Sequence, residues 1–255
     1  MVKAASYGAG DFEVAQMLKH KGVNYLAVAF ADEGVLLRER GIRMPIVVLN
    51  ADEGSFDLMV AHRLEPEIYN FRSLAFFSKA VERVGEESYP IHIKLDTGMH
   101  RLGFMEGELD MLTETLGETP SVKVATIFSH LNCSDMPQED RYTREQIARF
   151  DRMSGRLAAA LPYPVLRHTA NSAAIERFPE AQFDMCRLGL GLYGFGFEHN
   201  DELKPVSTLK SRIVQLKHLS AGEAVGYGRA GKLTRDSVTA TVPMGYADGL
   251  DRHLG

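Results

Sequence analysis

Cysteine is scarce in this chain: Cys133 and Cys186 are the only two among 255 residues. Neither belongs to a CxxC pair or a Cys/His ligand spacing, which argues against a disulfide framework or a zinc site and for a reducing, cytoplasmic setting. Long hydrophobic runs are missing too. The longest, residues 25–30 and 46–49, are far shorter than the roughly 18 apolar residues of a membrane span. Lys3 follows Met1 where a secretory signal would have a basic segment and then an apolar one. There is no Lys/Arg stripe, and 29 basic against 34 acidic side chains leave a formal charge of -5. The expectation is therefore a soluble, cytoplasmic protein that partners neither nucleic acid nor membrane. Also absent is a GxGxxG turn after the first strand, so the dinucleotide-binding fingerprint is missing.

What is present is a rhythm. Short β-branched runs alternate with amphipathic stretches, as in repeated βα units around a parallel sheet. Eight strands are predicted, at residues 2–4, 25–29, 46–49, 65–68, 91–95, 122–129, 166–169 and 183–188. Two intervening helices are especially clear. Residues 12–21 space Val14, Met17, Leu18 and Lys21 helically, and 145–161 place Ile147, Phe150, Met153 and Leu157 on one face. Thr143 and Gln146 read as a capping box that starts the second. The pattern predicts an α/β fold, a TIM-like parallel (β/α)8 barrel over residues 1–200 whose first strand is incomplete. Gly189, Gly191, Gly194 and Gly196, then Asn200 and Pro205, mark a break near residues 198–205. Beyond it, residues 208–219 and 237–244 read as strands without helices, so residues 201–255 are expected to be the start of a β-rich domain. Both ends read as cut.

Barrel active sites gather where strands end, at the C-terminal face. That filter selects Lys3, Arg101, His130, Asn171 with Ser172, and Arg187 with Gly189. A lysine desolvated at a barrel mouth can form a Schiff base with an aldehyde cofactor, although a lysine near a terminus is ordinarily a solvated side chain. Backbone N–H groups at residues 171–172 and 188–191, with a serine hydroxyl, would cradle phosphate; the plainer readings are a helix cap at Asn171 and simple turns at the glycines.

Seven ordered strings make the pattern specific: VKAASYGAG (2–10), KLDTGMHRLGF (94–104), RHTANSAA (167–174), DMCRLGLGLYG (184–194), LKPVSTLKSRI (203–213), VGYGR (225–229) and VPMGYADG (242–249). In order and spacing they resemble the motifs of alanine racemases, over nearly the whole chain. FEVAQML and YLAVAFADEG resemble the racemase part of chains fused to a cell-wall peptide ligase. The resemblance implies a pyridoxal 5'-phosphate isomerase that interconverts L- and D-alanine through the cofactor aldimine, supplies D-alanine for peptidoglycan, and works as a head-to-tail homodimer.

Residue by residue, it implies that Lys3 carries the cofactor and is one catalytic base, while Tyr227 is the other, supplied by the partner subunit. Arg187 would face the pyridine nitrogen, Arg101 the cofactor's phenolic oxygen, and His130 the network behind them. Tyr7, Ser172, Gly189 and Leu190, beside Asn171, would hold the phosphate. Arg101, Met99 and Tyr246 would line the substrate site, and Lys94 matches a position often carbamylated. No metal is implied. The logic is that inverting a stereocentre needs a proton donor on one face and an acceptor on the other, and amines and phenols both titrate near 10 in water, so both must be tuned. The first motif departs from the usual form at Ala5, Ser6 and Ala9. The family's later substrate loop and a late phosphate-binding tyrosine would lie beyond Gly255. Two other functions remain open on the sequence alone: a non-catalytic barrel that holds the cofactor, and an unrelated aldolase using Lys3.

Overall fold

Strands only three to seven residues long build the sheet between residues 26 and 168, and alternate side chains along each face opposite ways. In β1 (Leu26–Val28), β2 (Ile46–Val48), β3 (Glu65–Ile68), β4 (Tyr89–Lys94), β5 (Val122–Phe128) and β6 (Leu166–His168), apolar positions meet surrounding helices. The computed structural model, which describes residues 1–251 and 253, pairs the six in parallel and in chain order, β1 to β6. Sequential parallel pairing requires a crossover after each strand. Helices α3 (Ala31–Glu39), α4 (Phe56–Ala61), α5 (Phe71–Arg83), α6 (Leu109–Gly117) and α7 (Asp140–Ala160) supply the five, and α2 (Asp11–His20) precedes β1. Leu37, Phe56, Phe77, Leu112 and Phe150 from these helices are buried against Ile46, Ile68, Ile91, Ile93 and Ile127, forming the main core. The result is a curled parallel α/β sheet of the barrel class.

The two outermost expected strands are not strands. At residues 2–4 the chain makes one ladder-like bond, Val2 N–H to Ala27 O at 2.9 Å, and then enters a left-handed turn, α1 (Lys3–Tyr7). At residues 183–188 it runs beside β6, with Asp184 N–H on Arg167 O and Arg187 N–H on Ala170 O, both at 3.0 Å, but these bonds are too few and too spaced for a ladder. The Met1 amine reaches Leu188 O at 2.9 Å, so the two segments meet each other.

The expected capping box is also revised. Helix α7 starts at Asp140, after a turn opened by Pro137, which leaves Thr143 and Gln146 fully buried inside the helix. There Gln146 Oε1 accepts from Asn132 N–H at 3.3 Å and Thr143 Oγ1 lies 3.6 Å from Cys133 Sγ. They tether the loop after β5.

The chain divides into two units, Met1–Val206 and Ser207–Gly255. The second holds two small antiparallel pairs, β7 (Gln215–Leu219) with β10 (Ser237–Thr241), and β8 (Ala224–Val225) with β9 (Gly231–Lys232). Strands are thus shorter here than the expected 208–219 and 237–244. The last part of the expected 201–255 domain, at Arg252, Leu254 and Gly255, lies outside the described residues.

Candidate active site

The positions of β3 to β6 opposite the helix-facing residues are polar and ionisable. Register places Glu67 against His92, His92 against Thr126, Lys94 against Phe128, and Phe128 against His168. A cavity of about 530 Å³ opens at the strand ends, with Lys3, Tyr7, Glu67, Lys94, Arg101, His130, Ser172, Arg187, Gly189 and Leu190 in its wall. Such convergence of charged groups in a concave site at the ends of parallel strands is where barrel chemistry is found.

Arg187 is half-buried and held by five contacts. Its Nη1 donates to His168 Nδ1 at 2.8 Å and His168 O at 3.4 Å; its Nη2 donates to Ser129 O at 2.7 Å, Thr169 O at 3.1 Å and His130 Nδ1 at 3.1 Å. Burial pulls its pKa down to about 10, opposed by Glu67, so it remains a cation at neutral pH. A guanidinium can only donate, so both imidazoles must accept at Nδ1 and carry their proton at Nε2. Burial, then Arg187, pushes His130 down to about 3 and His168 well below the usual imidazole range. Phe128 stacks on His168 with parallel rings 5.0 Å apart and lies 5.4 Å from the Arg187 guanidinium.

A buried relay continues from His168. Its Nε2–H donates to Thr126 Oγ1 at 3.0 Å, the threonine hydroxyl donates to His92 Nδ1 at 2.8 Å, and His92 Nε2–H donates to Glu65 Oε2 at 2.8 Å. Each donor is followed by one acceptor, so the order of protons is set from Arg187 to the Glu65 carboxylate.

Lys3 and Tyr7 ride on the left-handed turn. Ala4, Ala5, Ser6 and Tyr7 have φ between +50° and +56°, a region that costs non-glycine residues roughly 1–2 kcal/mol each. Strain of this kind persists only where neighbours enforce it. Glu33 is the enforcer. Its Oε1 accepts from Ala4 N–H at 2.6 Å, and its Oε2 from Ala29 N–H at 2.6 Å and Phe30 N–H at 3.0 Å.

Opposite this turn, the N–H groups of Gly189 and Gly191 both point at Ser172 Oγ, at 2.9 and 3.1 Å. A Cβ at Gly189 would come within 3.4 Å of Tyr7 Oη and 3.7 Å of Ser172 Oγ, so the phenol, the hydroxyl and the two amides share one small space. This donor-rich cradle fits a phosphate. Asn171 also lines the cavity, but its Oδ1 is committed as the cap of α8 (Ser172–Arg177), accepting from Ala174 N–H at 3.0 Å and Ser134 Oγ at 2.9 Å. The plain cap reading therefore describes that side chain.

Arg101 is carried by the 96–104 loop, which folds back on β4 through Phe104 N–H to Lys94 O at 2.9 Å and Asp96 N–H to Phe104 O at 3.0 Å. Gly103 makes the return possible: with φ +129°, its Cβ would stand 2.6 Å from Asp96 N. Lys94 Nζ donates to Glu67 Oε1 at 2.8 Å.

Of the expected residues, Lys3, Tyr7, Lys94, Arg101, His130, Asn171, Ser172, Arg187, Gly189 and Leu190 therefore share one cavity. Met99 is half-buried and is not in that wall. Tyr227 and Tyr246 belong to the second unit, where Tyr227 is fully exposed on a turn after β8. Sequence reasoning missed Glu33, Glu65, Glu67, His92 and Thr126. Ionisable residues at i, i+2 spacing inside short strands, Glu65/Glu67 and His92/Lys94, were the signal that could have found three of them.

Residues 1–196 match the family model described as the alanine racemase N-terminal domain, and residues 206–255 the alanine racemase C-terminal domain. An alanine racemase of Sorangium cellulosum is 36% identical over the whole chain, which spans 68% of that relative. A solved alanine racemase of Clostridium difficile superposes with a TM-score of 0.88 at 32% identity, covering 98% of this chain and 67% of that one. One from Bartonella henselae, solved with covalently bound pyridoxal phosphate, has a TM-score of 0.84 at 26% identity and covers 99% and 70%. The parallel α/β barrel unit, the β-rich unit and these matches over both show that the chain belongs to the alanine racemase family.

Proposed function

We propose that the protein is an alanine racemase that binds pyridoxal 5'-phosphate and interconverts L- and D-alanine with two bases. The observation that carries this is the shared cavity, in which the Lys3 amine, the Arg187 guanidinium and the Gly189/Gly191/Ser172 cradle lie around one space. When bound, the cofactor supplies an electron sink that acidifies the substrate's α-hydrogen.

The chain's own residues do the rest. Lys3 provides the nitrogen that anchors the cofactor and then removes or returns a proton on one face. Tyr227 of the partner subunit serves the opposite face in a head-to-tail dimer. Ser172, Tyr7 and the backbone of Gly189 and Leu190 hold the phosphate. Arg187, a donor-only cation fixed by three carbonyls and two neutral imidazoles, would hold the ring nitrogen of a bound cofactor without giving up a proton to it. An unprotonated ring nitrogen would make the bound cofactor a weaker electron sink, suited to proton exchange. Arg101 would address the cofactor's phenolic oxygen and line the way in for a small amino acid; the family resemblance gives Tyr246 an entrance role as well. Among the described residues no helix is long and apolar enough to cross a membrane. The reading is completed by a cytoplasmic setting and by D-alanine as a peptidoglycan precursor.

Two measurements test it. Added cofactor should produce the absorption band of a lysine-bound pyridoxal, and Lys3→Ala should abolish it; a wild-type protein that never develops the band refutes the cofactor assignment. Wild type should racemise L-alanine while Tyr227→Phe loses activity by about 100-fold or more. Equal rates in the two would remove the two-base model, and a monomer at assay concentrations by light scattering would remove the partner's tyrosine from it.

A further inference from the structure

Lys94 and Glu67 form a buried ion pair at the cavity wall, with side-chain exposures of 7% and 0%. Glu67 Oε1 accepts from the lysine, whereas Oε2 is buried without a hydrogen-bond partner. The same wall holds Lys3, Arg101 and Arg187 against a single other carboxylate, Asp135. Burial raises the Glu67 carboxyl above its ordinary value despite the opposing pull of Lys94, Arg187 and Arg101, so what favours its anionic form is the Lys94 contact and the fields of these three cations.

The family resemblance assigns Lys94 to a position that is often carbamylated. That modification begins with a neutral amine: its lone pair attacks the carbon of CO₂, an N–C bond forms, and a nitrogen-bound proton passes to a base. A cation becomes an anion. Here an ammonium ion paired at 2.8 Å has no lone pair to offer. If the reaction went through, it would turn the attraction between Lys94 and Glu67 into repulsion between two buried anions, one already holding an unsatisfied oxygen. The Phe128 ring, 5.6 Å from Lys94 Nζ, adds to the preference, because the face of an aromatic ring attracts a cation and repels an anion.

We propose that Glu67 is itself the fixed anion of this position, keeping Lys94 as an unmodified ammonium ion and balancing Arg101 and Arg187, so that the site works without carbon dioxide. Glu67 is thereby a positioning residue, acting on the cavity through the cations around it. The state of Lys94 follows from the ion pair alone; the effect on cofactor binding rests on the function proposed above.

The experiment equilibrates the full chain with ¹³C-bicarbonate and looks for a lysine carbamate carbon by ¹³C NMR, which reports on Lys94 whether or not the cofactor assignment is correct. Wild type should show no such signal. Glu67→Gln, which leaves the amine without its anion, should gain one, and adding Lys94→Arg should erase it. A carbamate in wild type that disappears in Lys94→Arg overturns the proposal, as does a folded Glu67→Gln protein that gains none. A second readout is cofactor affinity by absorbance titration. In CO₂-free buffer Glu67→Gln should bind about tenfold more weakly than wild type and recover when bicarbonate is added, whereas wild type and Glu67→Asp should be indifferent to bicarbonate. A wild type whose affinity rises with bicarbonate also overturns it. Should Glu67→Gln fail to fold, the wild-type and Glu67→Asp measurements still decide.

Discussion

At the scale of single residues, the site is organised by donors that cannot accept. Arg187 forces the tautomers of His130 and His168, and the Thr126 hydroxyl passes that order on to His92 and Glu65. Thr126→Val keeps the shape but strands a buried N–H on His168 and a lone pair on His92. It should cost about 1–3 kcal/mol, while Thr126→Ser should stay within about 1 kcal/mol of wild type, read from urea denaturation. If the two variants lose equal stability, the hydroxyl is not part of a relay. Protonation gives a second expectation. His130 is held down to about 3 and His168 well below its ordinary value, so between there and about 6.5 the unfolded chain takes up protons that the folded chain refuses. Stability is fully present above about pH 6.5 and should fall steadily as pH drops toward about 3. Denaturation midpoints measured across that window check it, and a flat profile would show that the imidazoles protonate in place. Residues at strand ends, such as Lys3, Arg101 and Arg187, could be found from sequence because barrel geometry says where to look. Glu65 and Glu67 leave only an i, i+2 spacing of charge to notice, and Thr126 leaves less, since one hydroxyl in a seven-residue β-branched strand does not disturb its pattern and its partners are unknown until the strands are in register.

At the scale of elements, loops do the positioning, and here sequence reading is weakest. All six strands of the parallel sheet overlap segments expected from the sequence, most plainly the β-branched runs of β2 and β5. The edge segments at residues 2–4 and 183–188 have the same local character but too few ladder bonds to become strands, which is a tertiary fact. Likewise Thr143 and Gln146 fit a cap by spacing, yet Pro137 starts the turn earlier and the pair is drawn inward to hold the 131–134 loop. The 96–104 loop shows what such a segment needs. Gly103→Ala would push a Cβ onto Asp96 N in a backbone region closed to side chains, and should cost about 2–4 kcal/mol in thermal or chemical denaturation while shifting Arg101. Ala at this position with wild-type stability would mean that the loop can leave β4 freely.

At the scale of the whole molecule, the two units differ in how they are held together. The first has a continuous core of helix and strand side chains. The second relies on two-stranded pairs whose residues, Leu216 and Val238 among them, are largely exposed, and paired strands without a shared core are marginal. Between β6-side structure and β7, residues 205–214 are exposed and lack regular hydrogen bonding, with Lys210 and Arg212 among them. Limited trypsin digestion should therefore cut first at these two sites and leave a fragment ending near residue 210; early cleavage inside the barrel unit instead would contradict that ranking. One feature of the barrel unit sets its robustness against its usefulness. Four consecutive residues held at positive φ beside Lys3 are a standing tension, so relieving it with Ala5→Gly should raise thermal stability, by up to about 1 kcal/mol, and at the same time let the amine wander. Selection for a tougher protein and selection for a better-aimed lysine would pull this one position in opposite directions.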